Sequence, residues 1–318
     1  MRAVWIHEFG GPEKLVPGTA PDPVPAPGQV LVDVMLANIT FVETQFRATG
    51  FGPSGVTLPV IPGNGVGGLI STVGPDVDPG LVGRRVVSST GGSGAYAERV
   101  VVDATLPVAV PDGLPLDQAV ALLADGRTAL MLAEAADLRP GDRVLVEAAA
   151  GGVGSLLVQL AARAGAQVVG LAGGTRKVAQ LPSMGVEVAV DYRQPDWVRR
   201  VRSAVGAVDV VFDGVGGAIG RDAFELLDRG GRMLSFGLSS GEWAGIDAES
   251  AAERGVTVVR PTPTPAQLRA YTERALAEGA AGGLRAVIGQ RFPLAQAAEA
   301  HAAIEARSTV GKTLLDVR

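Results

Sequence analysis

Two hydrophobic periods divide the chain. Up to about Pro111, short apolar runs with two-residue alternation are broken by glycine and proline, as at 2–6, 30–35, 67–73 and 85–88. This is the pattern of strands joined by tight turns. The proline-rich stretch 21–28 fits a bend ahead of a strand. From about Leu116 the spacing becomes helical, over 117–123 and 128–136. Apolar runs at 144–147, 168–172, 186–190, 208–213, 232–236 and 256–260 then alternate with helical stretches. Such alternation predicts a doubly wound parallel sheet with helices on both faces, an α/β fold. Helices are expected at 266–278 and 294–306, and a last strand at 312–317. A lone terminal strand needs a partner sheet, and the N-terminal β region supplies one. The expected division is therefore a discontinuous β domain, 1–120 with 261–318, and a nucleotide-binding domain, 121–260.

A length of 318 residues agrees with two domains. A hydrophobic fraction of 47% with 44 glycines favours aliphatic strands and many turns over a disordered chain. The net charge of -5, without a basic block, argues against nucleic acid as a partner. No apolar run reaches about 18 residues and no signal-like start precedes the first strand, so the expectation is a cytoplasmic protein away from membranes.

The strand at 144–147 leads into Ala148-Ala-Ala-Gly-Gly-Val-Gly154 and then a helix over 155–164. A helix N-terminus offers unpaired N–H groups and partial positive charge, and small residues let a pyrophosphate approach the backbone. Against G-x-G-x-x-G, Ala149 stands at the first glycine while Gly151 and Gly154 keep the second and third. Ala150, Gly151, Gly152, Val153 and Gly154 form the candidate seat. About 20 residues on, where a carboxylate would bind the 2′-hydroxyl of NAD, the chain has Gly173, Gly174, Thr175, Arg176 and Lys177. Two cations and no local carboxylate favour a 2′-phosphate, hence NADPH. Both cations also suit a solvated first helical turn.

The chain has no cysteine, and its two histidines, His7 and His301, have no ligand partner at motif spacing, so no metal is expected. A Ser-His-Asp order and a G-x-S-x-G elbow are absent, which disfavours hydrolysis.

Several further motifs stand in order: Phe9-Gly-Gly-Pro-Glu13, Val190-Asp-Tyr-Arg193, Phe212-Asp-Gly-Val-Gly216, Ser235-Phe-Gly237 and Gly311-Lys312. With the glycine turn, they make the whole chain resemble the zinc-free quinone oxidoreductase (zeta-crystallin-like) branch of the medium-chain dehydrogenase/reductase superfamily. The resemblance implies a GroES-like β domain, a Rossmann domain, a homodimer joined through the strand at 256–260, and NADPH-dependent reduction of a quinone or an α,β-unsaturated carbonyl. It implies cofactor contacts at Gly126 and Thr128 on the nicotinamide side, at Lys177 and Tyr192 near the 2′-phosphate, and at Phe236 and Gly237 near the carboxamide.

The family's substrate wall matches residues 39–47, where this chain carries Thr40, Glu43 and Gln45 in place of the usual Asn, Asp and Tyr. Gly65 stands where relatives commonly have Glu. The chemistry implied is hydride transfer with the developing substrate oxygen held by hydrogen-bond donors. Thr40, Gln45 and Tyr96 are the candidate donors, while Thr40 also fits a helix cap, Gln45 a solvent-facing position and Tyr96 a turn. Glu43 reads as a solvated carboxylate that only accepts hydrogen bonds, either a positioning residue or a partner for Arg47. Two other functions fit the same residues: an enoyl reductase dedicated to one pathway, and a weakly catalytic NADPH-binding redox sensor.

Overall fold

A computed structural model of the chain describes residues 1–51 and 56–318. In chain order the first elements are β1 (Arg2–Ile6), β2 (Leu15–Thr19), β3 (Gln29–Ile39), α1 (Phe41–Thr49), β4 (Gly65–Val73), β5 (Arg85–Ser89), β6 (Arg99–Asp103) and β7 (Val108–Ala109). Then come α2 (Leu116–Ala136), β8 (Arg143–Val146), α3 (Gly152–Arg163), β9 (Gln167–Ala172), α4 (Thr175–Val178), β10 (Val188–Asp191), α5 (Trp197–Val205), β11 (Val208–Asp213) and α6 (Gly217–Phe224). The chain continues through β12 (Leu227–Ser235), α7 (Ala248–Arg254), β13 (Thr257–Val259), α8 (Pro265–Ala280), β14 (Ile288–Pro293), α9 (Ala297–Glu305) and β15 (Lys312–Asp316). These fall into two compact units, Met1–Ala124 with Thr272–Arg318, and Asp125–Tyr271.

The first unit is GroES-like. A seven-stranded sheet runs β14-β15-β3-β4-β5-β7, with β6 also paired to β3. Alternation along β3 buries Val30, Val32 and Val34, which meet Val66, Ile70, Val86 and Val100 in one core. The terminal strand β15 pairs antiparallel with β3, Thr313 opposite Ile39 and Leu315 opposite Ala37. The N-terminal sheet is thus the partner this strand needs.

The second unit is the Rossmann sheet, six parallel strands in the order β10-β9-β8-β11-β12-β13. Its inner strands are buried nearly throughout, as the continuous apolar runs require when helices cover both faces. The order reverses between β8 and β11, so the turns that follow these strands flank the crevice where ligands bind such sheets.

Local boundaries differ from the sequence pattern, most visibly as follows. The two expected helices at 117–123 and 128–136 form one helix, α2, which runs through the buried Gly126. An interior glycine costs a helix only about 1 kcal/mol, which the packing of its buried neighbours offsets. Strand β12 starts at Leu227, because Leu227 already pairs with Val208 of β11, and Asp228-Arg-Gly-Gly231, a turn by composition, bulges out before pairing resumes at Arg232 opposite Val210. The expected helix at 294–306 opens as a 3₁₀ turn before α9 begins. Among the described residues no helix is long and apolar enough to cross a membrane.

Candidate active site

The turn after β8 winds around one carbonyl. Ala148 adopts a left-handed conformation, φ 47°, and its oxygen accepts the Gly151 N–H at 2.7 Å. A Cβ at Gly151 would lie 3.0 Å from that oxygen, and one at Gly154 would run into it. Residue 148 thus makes the left-handed bend, while Ala149, at the place of the missing first glycine, packs fully buried with its N–H on the Leu171 carbonyl. The bend lets α3 start directly at Gly152, so its first-turn N–H groups, which no carbonyl four residues back can serve, open the seat. Ala150 is buried behind it, and Gly151, Gly152 and Val153 line it half-buried. These residues fit a pyrophosphate: small, amide-rich and closed to a side chain at Gly154.

At the end of β9 the structure gathers the predicted 2′-phosphate group and adds to it. A Cβ on Gly173 would stand 2.7 Å from the Tyr192 hydroxyl, and one on Gly174 would meet the Arg193 guanidinium. Tyr192 and Arg193 come from the end of β10, the neighbouring strand, and Thr175, Arg176 and Lys177 open α4. Arg193, outside the sequence-predicted group, is brought to this turn only by strand pairing. The local segment lacks a carboxylate, but Asp191 supplies one from β10. Its Oδ1 accepts from Gly174 N at 2.9 Å and from Arg193 N at 3.0 Å. Burial pushes this carboxyl up, and the amides and the Arg193 guanidinium outweigh it, leaving the group below its ordinary range. Asp191 is buried and shapes the turn.

Glu147, Asp213 and Ser235 stand at the C-terminal ends of β8, β11 and β12 and are all buried. Asp213 accepts from Gly216 N at 2.7 Å and Ser235 Oγ at 2.8 Å, and its main-chain oxygen takes the N–H groups of Phe236 and Gly237. Glu147 accepts from Val215 N at 2.9 Å. Burial, reinforced by the Asp213 carboxylate, pushes Glu147 far above the ordinary carboxylate range. Through its bond to Val215 N, Glu147 fixes the 214–217 loop, against which Phe236 packs: a Cβ on Gly214 would lie 2.8 Å from its ring. Gly126 and Thr128 lie in α2, buried and half-buried respectively.

In the other unit, α1 carries the expected wall. Thr40 is its N-cap and Glu43 its third residue, the spacing of a capping box. Thr40 Oγ1 donates to Glu43 Oε2 at 3.0 Å, and Asn64 N donates to Glu43 Oε1 at 2.7 Å. Glu43 is only 7% exposed, which corrects the expectation of a solvated carboxylate. Burial pushes its pKa up, opposed by these hydrogen bonds and by the buried Lys312 ammonium. Arg47 does not pair with Glu43; it is buried and bonds Glu305 and the Gly10 carbonyl, tying α1 to α9. Gln45 is half-buried on α1. At Gly65 a side chain would collide with Asn38, whose amide fills that space.

Tyr96 requires a correction. It is 0% exposed, its ring packs edge-on against His301, and its hydroxyl lies 2.9 Å from His301 Nε2. Burial raises its pKa well above that of a free phenol. Such a residue is part of the core and does not present its hydroxyl to a substrate. His301, itself fully buried, is pushed down to about 3 by burial and by the Arg47 charge, and so stays neutral.

Comparison with known proteins agrees with this architecture. Residues 26–112 match the alcohol dehydrogenase GroES-like domain, and residues 184–315 match a family described as zinc-binding dehydrogenase. The quinone oxidoreductase of Pseudomonas aeruginosa is 33% identical, the alignment covering 99% of both chains. A 2-haloacrylate reductase from Burkholderia sp. is 30% identical over 98% of both chains. The structure of the Escherichia coli quinone oxidoreductase complexed with NADPH superposes with a TM-score of 0.91 at 30% identity, covering both chains completely. With a GroES-like unit, a Rossmann unit and full-length relatives of this identity, the chain belongs to the quinone oxidoreductase branch of the medium-chain dehydrogenase/reductase superfamily.

Proposed function

We propose that this protein is an NADPH-dependent oxidoreductase that reduces a quinone, or the conjugated C=C of an enone or enal, without a metal ion. The observation that carries the reading is the cationic cluster at the end of β9, where the Tyr192 hydroxyl and the Arg193 guanidinium lie against the Gly173–Gly174 turn and Arg176 and Lys177 follow it in α4. That turn is where a Rossmann fold holds the adenosine ribose, and a 2′-phosphate is the group such a cluster suits. NADPH, when bound, supplies the hydride, and one proton from solvent completes the reduction to a hydroquinone or a saturated carbonyl. The protein's residues bind and orient: the α3 turn takes the pyrophosphate, the Asp213-held segment at Phe236–Gly237 faces the carboxamide, and Gln45 donates to the substrate oxygen.

The metal-free part rests on the donor set. With no cysteine present, His301 is buried against Tyr96 and His7 stacks on Trp5, so neither histidine joins a ligand group. The same reading includes a homodimer joined along β13, the last strand of its sheet, which light scattering checks.

The decisive assay is NADPH oxidation against a panel of quinones, enals and haloacrylates, with and without EDTA. Turnover unaffected by the chelator supports the proposal, and loss of activity restored by zinc refutes the metal-free part. One observation favours a second reading, the weakly catalytic sensor: the Thr40 hydroxyl is given to Glu43, and Tyr96 lies in the core. Tight NADPH binding without turnover on any acceptor would select it. Activity confined to one enal class would instead select the dedicated enoyl reductase.

A further inference from the structure

A second carboxylate, Asp125 of α2, lies against the α3 turn. Its side chain is buried, 8% exposed, and a Cβ placed on Gly152 would collide with its Oδ2 and stand 2.9 Å from its Cγ. Gly152 is the first residue of α3, so a negative charge sits beside the first-turn amides that open the pyrophosphate seat. A glycine at 152 is required by this carboxylate as well as by any phosphate. We propose that Asp125 sets the affinity of the dinucleotide site by holding a fixed negative charge beside the pyrophosphate seat. This inference rests on the dinucleotide reading above.

The physical basis is repulsion in a site of reduced polarity. A pyrophosphate brings two negative charges to a turn whose helix-terminal field is already partly neutralised by Asp125. The nearby cation Arg127 moderates the effect. Burial pushes its pKa down, and the Asp125 charge pulls it back up, so the two side chains are electrostatically linked. A cofactor that must leave after every turnover benefits from this restraint, since a turn with full amide and helix-terminal attraction would retain it.

The penalty acts on the pyrophosphate, which NADPH and NADH share, and not on the 2′-phosphate. Titration of the purified protein by calorimetry is therefore the test, with NADPH, NADH and adenosine 2′-monophosphate as probes. Asp125→Asn keeps the size and removes the charge, and it should tighten both dinucleotides by about tenfold, about 1.4 kcal/mol. Adenosine 2′-monophosphate, lacking the pyrophosphate, should bind equally to both proteins. Asp125→Ala guards against a folding defect peculiar to the amide and should tighten binding in the same direction. If both variants melt normally yet bind the dinucleotides no better, or more weakly, Asp125 serves to orient Arg127 and the proposal is overturned. If the wild-type protein binds neither dinucleotide, the cofactor reading itself fails, and this inference falls with it.

Discussion

The Glu43 carboxylate accepts both the backbone N–H and the hydroxyl of Thr40, the residue that caps the same helix. The wall of α1 is thus set by a buried acid that also reaches Asn64 and balances Lys312 of β15. Because the Asn64 side chain in turn takes N–H groups from Thr90 and Gly92, Glu43 stands at the centre of three segments of the GroES-like unit.

Glu43→Gln should therefore be more damaging than its surface-like sequence context suggests. It weakens the buried carboxylate's hold on Thr40 and Asn64 and removes the charge that attracts Lys312, and hydrogen bonds to a charged group typically contribute about 1.5–3 kcal/mol each. Urea unfolding should show Glu43→Gln well below the wild type, and Glu43→Gln with Lys312→Met should regain much of the loss. A double variant no better than the single would show that Lys312 is not the group Glu43 balances.

Thr40 and Gln45 should separate kinetically. The Thr40 hydroxyl proton is engaged by Glu43, so Thr40→Val should act mainly through the cap, about 1 kcal/mol of stability. Gln45→Leu should lower kcat more than it raises KM, by about tenfold, less than the loss of an enclosed donor because water replaces it at a half-buried position. Steady-state kinetics of both variants with one quinone decide the order, and a larger kcat loss for Thr40→Val would reverse the assignment.

Arg176→Ala with Lys177→Ala should raise the KM for NADPH about tenfold or more and leave NADH almost unchanged, since charge-assisted contacts to a phosphate contribute about 1.5–3 kcal/mol each. Adding Arg193→Ala should deepen the NADPH defect. Equal losses for both cofactors would point to a damaged fold.

His301 should make the protein acid-sensitive. Its folded-state pKa is depressed from 6.5 to about 3, so its stabilising contribution is present above pH 6.5 and is lost as pH falls toward 3. Unfolding free energies measured between pH 7 and pH 4 should fall in the wild type and fall less steeply in His301→Gln. Parallel slopes would mean that other groups carry the acid limb.

Glu147 should act at the other end of the scale. Its folded-state pKa is raised, so its contribution is complete below the unfolded value of 4.5 and declines as pH rises. Glu147→Gln keeps a neutral, hydrogen-bonding side chain, and at pH 8 it should melt at least about 2 °C above the wild type. A variant that melts lower would show that an ionised Glu147 is needed to hold the Val215 N–H.

Periodicity alone determined the alternation of the Rossmann unit, the partner of the terminal strand and the glycine turn, because these depend on local backbone preference and on which residues avoid water. The resemblance of the motifs reached further, to the family. What only the tertiary structure decided are the relations between residues far apart in the chain. Asp125 reaches Gly152 because α2 passes the start of α3, and Asp191 and Arg193 reach Gly174 because β10 pairs in register with β9. Tyr96 and Glu43 changed character for the same reason. Nothing in their local sequence signals it, yet His301 and Lys312, more than 200 residues away, supply a hydrogen-bond partner for the buried Tyr96 and a positive charge for the buried Glu43. Burial and partner, not residue type, decide whether a hydroxyl or a carboxylate is free for chemistry, and both are set by packing that no local pattern encodes.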